Sequence, residues 1–319
     1  MIKINIEEHK LQKLEKQYKE ALIKWLDKRR IKKDADYRAE WDYYFNNRES
    51  LITCKPEDMQ KQWKQFLKRK IGRDYQTWKK SSLKEETSFG KFIQKMNSLY
   101  NEFMKSEYDE SNDKKDDDKK SVGYWFFDSL GLNVCPYCNR NYILTIEVDK
   151  KNTTKYRPEI DHFYPKSKYP IFALSFYNFI PACPTCNHIK RELRLKISPW
   201  KGYIGKYKEP VFRVKNTVED LFLEAPKIEI INGVRKDISI LGIDRLYNKH
   251  TDVVQDILNR IQAYNTDAYS AVLESFQGIV NTEGELDRMV WGNYTDPDEF
   301  SKRPFSKLTS DILKQYKIK

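Results

Sequence analysis

EIDHFYP, residues 159–165, lies between two cysteine pairs, CPYC at 135–138 and CPTC at 183–186, in a chain of 319 residues with only four histidines. Everything nearby depends on how these three pieces come together. Each C-x-x-C knuckle sets two thiolates close enough to take adjacent corners of a tetrahedron, and a proline inside each, Pro136 and Pro184, stiffens the turn. Together Cys135, Cys138, Cys183 and Cys186 make a closed four-thiolate set whose expected ion is structural zinc (Zn). The other readings are a thiol redox motif or two unrelated buried thiol pairs. Cys54 stands apart and reads as a small buried hydrophobe.

Between the knuckles, NYILTIEV (141–148) is β-branched and aromatic, DKKN is a turn, and TKYRPEID resumes an extended style. The expectation is a β-hairpin that delivers Asp161 and His162 at its exit. A zinc tie would then fasten this hairpin to whatever follows Cys186, bringing Asn187 near Asp161 and His162. An imidazole with an ordinary pKa of about 6.5 suits a general base near neutral pH. Asp161 and Asn187 offer oxygen ligands, which suit Mg²⁺ or Mn²⁺ and not a thiolate-bound ion. In a regular strand adjacent side chains point to opposite faces, so one phosphate can meet both Asp161 and His162 only if the strand ends or bulges there; Pro165 lies close behind.

NHIKRELRLK, from 187, reads as helix. On it Asn187, Lys190, Arg191 and Arg194 fall at i, i+3, i+4 and i+7, a face able to receive a phosphate backbone, with a solvated basic face as the plainer alternative. Lys166 and Lys168 in PKSKYP are either phosphate contacts or a solvated loop. His188 would be rotated by about 100° from Asn187 on an ideal helix and is a second option as ligand or phosphate contact. His9 and His250 have no partner pattern.

The ordered set CPYC, EIDHFYP and FYNFIPACPTCNHIK resembles the zinc-stabilised HNH endonucleases, the ββα-metal nucleases, over about 135–200. The resemblance implies that Asp161 and Asn187 hold a catalytic Mg or Mn, that His162 activates water, and that Asn178 orients His162 through its backbone or side chain. It further implies that Lys190 stabilises developing charge. More narrowly, CPYCNRNY, DHFYPKSKYP and ISILGIDRLYNKH look like the HNH subunits of bacterial anti-phage systems of the Septu and retron-linked kinds, which work beside an ABC-type ATPase. From another class comes the competing reading, a non-catalytic zinc-ribbon module that binds nucleic acid or assembles with a partner.

The flanks fit an α+β, mainly helical chain in three parts: a helical N-terminal domain over 1–120, the zinc-stabilised HNH core over 121–205, and a hairpin with helices over 206–319. Apolar spacings of three and four predict helix over 8–47, 57–71 and 87–108. DESNDKKDDDKK (109–120) carries no apolar residue and reads as an exposed linker. GYWFFDSLGLNV then predicts a short helix ending near Gly131. KIEII and KDISIL flank Asn232-Gly233 as a predicted hairpin, followed by helices at about 244–264 and 266–280. Fifty-nine Lys and Arg against 47 Asp and Glu give a formal net charge of +12, which favours a polyanionic partner. Nucleic acid is the expected partner, DNA ahead of RNA. The helical N-terminal and C-terminal regions are the places for a protein partner or for self-association as a homo-oligomer. No apolar stretch has signal-peptide or membrane-span length, so no membrane is expected and a cytoplasmic setting follows. In that reducing setting, paired cysteines hold metal more readily than they form disulfides.

Overall fold

The computed structural model describes residues 1–29, 35–108, 120–147, 155–215, 226–264, 271, 274–275 and 282–318. The chain is α+β and mainly helical. The linker at 109–120, apart from Lys120, and the helix expected at 266–280, apart from residues 271 and 274–275, lie outside the described residues. No described helix is long and apolar enough to cross a membrane.

Among the described residues the N-terminal segment builds six α-helices. α1 (Glu8–Asp27) buries Leu14, Tyr18, Leu22 and Leu26, a row at i+4 that makes one apolar face. α2 (Arg38–Asn46) and α3 (Arg48–Ile52) follow, then α4 (Pro56–Phe66), which opens on proline at its first turn. The helix expected at 57–71 breaks at Arg69, whose φ of +61° is left-handed, and a separate helix α5 (Lys70–Lys80) starts there. α6 (Ser88–Lys105) is capped by Thr87, whose hydroxyl accepts from the Gly90 amide at 3.1 Å, and it buries Phe89, Phe92, Met96, Leu99 and Phe103. α7 (Val122–Leu130) stops at Gly131, which takes the left-handed conformation a helix end favours.

The described residues form three two-stranded antiparallel sheets. β1 (Ile146–Glu147) pairs with β2 (Lys155–Tyr156), β3 (Glu159–His162) with β4 (Phe179–Ala182), and β5 (Val211–Lys215) with β6 (Lys227–Ile231). Helix α8 (Pro184–Lys190) follows β4 directly. Then come α9 (Arg235–Leu241), α10 (Ile243–Tyr247), α11 (Thr251–Ala263), α12 (Glu283–Trp291) and α13 (Ser306–Gln315).

Of two expectations about strands, one holds in shortened form and one is corrected. The hairpin of the 141–148 segment with the stretch after it is present as β1–β2, and Asp161 and His162 follow it on β3, whose own partner is β4 in the register Asp161↔Ile180 and His162↔Phe179. Among the described residues, 141–147 otherwise contribute a bridge between Val134 and Tyr142. At Asn232-Gly233 both residues take positive φ, 62° and 69°, as a tight turn requires. The chain nevertheless leaves the turn as α9, not as a strand, and β6 pairs backwards with β5. α9 buries Ile238 and Leu241, three apart, which is a helical spacing that outweighs the β-branched content of KDISIL.

The core is continuous. One apolar cluster runs from Leu14 and Tyr18 through Phe126, Phe176 and Phe179 to Tyr247 and Leu308. Tyr18 packs edge-on against Phe103, Phe126, Phe176 and Phe179 at 5.6–6.1 Å, so α1, α6 and α7 share packing with β4. Tyr18 also donates to the Leu174 carbonyl at 3.0 Å. Most tryptophans serve this core: Trp41, Trp63, Trp125 and Trp200 are buried in it, while Trp291 is buried in a smaller cluster with Leu286, Val290 and Leu313, and Ile261 packs against both.

Candidate metal centre and candidate active site

The two knuckles meet. The sulfurs of Cys135, Cys138, Cys183 and Cys186 all lie within 4.8 Å of one another, and all four residues are buried. Cys138 and Cys183 are 4.0 Å apart, close to the ~3.8 Å edge of a tetrahedron with metal–sulfur bonds of ~2.3 Å. That gap is about twice a disulfide bond, and all four thiols are free. Cys183 sits at the N-cap of α8, with Pro184 at the first helical position, so the second knuckle is also the helix start. Its sulfur accepts from the Cys186 amide at 3.5 Å and from Asn141 Nδ2 at 3.4 Å, polar support of the kind a thiolate ligand needs. Crowding splits the thiols: hydrogen bonds from Cys135, Cys138 and Cys186 hold Cys183 well below its ordinary range, and the same contacts push Cys186 up. A set of four soft donors at tetrahedral spacing could bind a metal ion such as zinc.

The first knuckle is held from several directions. Asn139, with φ of +49°, donates to the Phe300 carbonyl at 2.7 Å and accepts from the Lys307 amide at 3.0 Å. The Phe305 amide donates to the Asn139 carbonyl at 2.7 Å, Tyr247 donates its hydroxyl to the Cys138 carbonyl, and the Ile2 amide donates to the Pro136 carbonyl at 2.8 Å.

Strand β3 presents two different faces. On the one toward α8, Asp161 is 3% exposed and both its oxygens are engaged. Lys190, fully buried, donates its ammonium to Asp161 Oδ1 at 2.9 Å and to the His162 carbonyl at 3.0 Å, while Tyr137 donates its hydroxyl to Oδ2. Burial pushes the Asp161 carboxyl up, opposed by Lys190 and by the Tyr137 hydrogen bond. Two residues back on the same face, Glu159 Oε2 accepts from Asn187 Nδ2 at 2.7 Å. Helix and strand therefore run in step, Asn187 against Glu159 and Lys190 against Asp161.

His162 occupies the opposite face. Its ring lies 4.8 Å from Tyr100 and 5.2 Å from Phe179, and Nε2 is 3.0 Å from the Ala173 carbonyl. A carbonyl only accepts, so Nε2 carries the proton and Nδ1 keeps the lone pair, with no hydrogen bond to it among the described residues. Asn178 does not bond the ring. It clamps the loop between the strands, accepting from the Tyr164 amide at 2.7 Å and donating to the carbonyls of Tyr164 at 3.0 Å and Phe172 at 2.8 Å. That clamp holds the Phe172 carbonyl, one residue before the Ala173 carbonyl that meets the His162 ring. Burial, then the charge of Lys166, pulls the imidazole pKa down to about 3, so the ring is neutral at physiological pH. Lys166 itself is half-buried, its ammonium 4.1 Å from the Tyr100 ring centre.

The basic face expected on α8 is corrected. The helix ends at Lys190, and Arg191, with φ of +47°, turns the chain away. Lys190 points inward to Asp161, Arg191 is exposed beyond the helix, and Arg194 donates to Gln60 on α4 at 2.8 Å while stacking on Tyr164 at 4.7 Å. Lys168 pairs with Glu192 at 3.3 Å. His188 is exposed on α8, and His250 lies 3.1 Å from Arg140. Cys54 is buried with its thiol pushed up to about 12 by burial, which suits an inert hydrophobe.

Three members of the arrangement escape a reading of the sequence. Glu159 had a usable signal, since it shares a strand face with Asp161 at i−2. Tyr137, inside the first knuckle, and the Ala173 carbonyl had none, because their partners lie 24 and 11 residues away. Compared with known proteins, the chain matches no family model, no curated protein and no solved structure.

Proposed function

We propose that the protein is a metal-dependent endonuclease of the HNH type, hydrolysing phosphodiester bonds of nucleic acid, DNA ahead of RNA. The observation that carries this reading is the state of His162: one nitrogen tied to a backbone carbonyl, the other free, on a strand that also bears an acidic side chain facing a helix. An imidazole fixed in this tautomer keeps Nδ1 available, and Nδ1 would take the proton of an attacking water once substrate binding raises its pKa from about 3. A phosphate drawn to Lys166 would offset the second cause of the depressed His162 pKa and raise its basicity. Asp161 and Asn187, with Glu159 beside them, supply the hard oxygen donors that Mg or Mn takes and would hold that ion. Because Asp161 and His162 lie on opposite faces of β3, the ion would neutralise charge on the phosphate and on the leaving oxygen only for a phosphate seated at the end of the strand, which is reached at His162. Lys190, the cation that balances Asp161 in the structure, carries its charge next to the same oxygens. Zinc at the four thiolates would keep β3, β4 and α8 in register. A role in anti-phage defence beside an ABC-type ATPase rests on the sequence resemblance alone.

The test is an assay of duplex DNA, single-stranded DNA and total RNA, each with Mg²⁺, Mn²⁺ or chelator. The expected result is divalent-dependent cutting that falls by at least about 10²-fold in His162→Ala, a variant that still folds and keeps zinc. Equal cutting by variant and wild type overturns the assignment. The closed Lys190–Asp161 pair favours a second reading, a zinc module that binds without chemistry; salt-sensitive binding with no cutting under any metal would establish it.

A further inference from the structure

Nine of the 24 residues from 61 to 84 are Lys or Arg and one, Asp74, is acidic. Lys61, Lys64, Lys68, Arg69, Lys70, Arg73, Lys79, Lys80 and Lys84 are all exposed. The two helices here sort their residues by face. On α4, Met59, Trp63 and Phe66 are buried, while Lys61 and Lys64, and Lys68 just beyond, recur at three and four on the outside. On α5, Ile71 is buried with Tyr75 and Trp78 packed inward, and Lys70, Arg73 and Lys80 form the outer row. Among the described residues none of the nine makes an ion pair. Lys79 and Lys84 lie instead over the rings of Tyr75 and Trp78, at 5.5 and 5.4 Å. A surface with so many unneutralised like charges repels itself and draws counterions, a cost that a polyanion removes.

This surface borders the candidate active site. Trp63 packs on Tyr169 at 4.9 Å, and Gln60 receives the Arg194 guanidinium at 2.8 Å. Tyr169 belongs to the loop that follows His162, and Arg194 to the segment that follows α8. The Glu192 carboxyl is held below the usual range by the Ser167 hydroxyl, then by its partner Lys168, with Lys84 adding to them. The helices that carry these cations thus pack against the segments that bear Lys166, Lys168, Arg191 and Arg194.

We infer that the outer faces of α4 and α5 form the surface along which the phosphate backbone of a nucleic-acid duplex lies when it enters the candidate active site. The inference rests on the nuclease reading and adds the helical segment to the substrate-binding surface. Phosphate contacts position a duplex without reading its sequence, and each releases counterions, so they are measurable as salt dependence.

The test uses the full chain carrying His162→Ala, so that a fluorescent 30-base-pair DNA duplex is bound without being cut. Lys64, Lys68, Arg73 and Lys80 are changed together to Gln. A control variant changes four exposed cations elsewhere, Lys13, Lys16, Arg245 and Lys249, to Gln, so that both variants lose the same net charge. The expected result is that the helix set weakens binding about 10- to 100-fold and lowers the slope of log K against log salt by about 3–4. The control set should shift binding less than about 3-fold, and both variants should melt with the parent. Equal effects of the two sets, or none from the helix set, overturn the inference while leaving the nuclease reading intact. A parent chain that binds no duplex overturns the inference, and the cleavage assay on all three nucleic acids decides the nuclease reading separately. Binding to phosphatidylserine vesicles but not to duplex, lost in the helix set, would reassign the surface to a membrane.

Discussion

The molecule contains two units in which an antiparallel strand pair is followed at once by a helix, and they are stabilised in opposite ways. In β5–β6–α9, buried and exposed residues alternate along both strands: Phe212 and Val214 point in while Arg213 points out, and Ile228 and Ile230 are buried around exposed Glu229. The free edge of β5 is covered by side chains of α13, with the Phe212 amide donating to Asp311 and the Val214 amide and carbonyl both paired with Gln315. In β3–β4–α8, by contrast, every residue of β4 is buried, while the helix has seven residues, the same as α9. A strand enclosed on both faces gains from burial but cannot choose its register by putting polar residues out. Four buried thiols within 4.8 Å of one another, a set that could bind a metal ion, stand where that register would be fixed. One unit is specified by pattern, the other carries the candidate metal centre, and the candidate active site sits on the second.

The largest break of this comparison is to remove the ligation. A four-thiolate zinc site contributes on the order of 10 kcal/mol to folding in small domains, so chelation or Cys183→Ser should cost more than any other single change. Hydrogen exchange should then show amides of Glu159–His162 and Phe179–Ala182 losing protection while those of Lys227–Ile231 keep it. Simultaneous loss in both units would mean that they unfold as one.

Next in size is the buried ion pair. Asp161→Ala leaves the Lys190 ammonium buried without its partner and should cost about 3–5 kcal/mol in urea denaturation. Replacing both with apolar residues of similar volume should recover most of it. A loss under 1 kcal/mol in the single variant would show that Lys190 escapes to water.

The smallest effect lies in the other unit. Asp237 on α9 accepts from the amides of Lys196 at 2.8 and 2.9 Å and of Ile197 at 2.9 Å. Asp237→Ala should cost about 1–3 kcal/mol by leaving those donors unpaired. Burial pushes the Asp237 carboxyl up, outweighing these hydrogen bonds. The folded state thus holds the proton more firmly than the unfolded chain. Its contribution to stability is complete below the ordinary carboxyl value near 3.8 and is lost as pH rises through the folded value above it. Asp237→Asn should flatten that part of the stability profile, and an unchanged profile would refute the assignment.

The same contrast explains what could be read from the chain. Knuckle spacing is local, so the thiol set was legible, as were α1, α6 and α7 from their apolar rows and from Gly131. The partner of β3 was not. NYILTIEV has stronger strand composition than FIPA, and FIPA, buried throughout, shows no alternation by which to find it. Helix α5 hid behind its lysines, although Ile71, Tyr75 and Trp78 keep helical spacing. The end of α8 was hidden because nothing in KRELR announces a left-handed Arg191. In the candidate site, Asp161, His162 and Asn178 were legible as a set, but their partners were not. Lys190 was expected on a phosphate-facing surface and instead neutralises Asp161, since burying that carboxylate requires a cation beside it.

Asn139 has a consequence in time. It sits next to Cys138 of the four-thiol set, yet its three hydrogen bonds reach Phe300, Phe305 and Lys307. On a ribosome adding about 5–20 residues per second, the thiols of both knuckles emerge some seconds before those partners exist. The nascent chain could therefore take up a metal ion such as zinc while the first knuckle is still unclasped, and the mature packing around it waits on synthesis of a segment more than 100 residues downstream of Cys186. In that order of assembly the four thiols are in place before the first knuckle is locked.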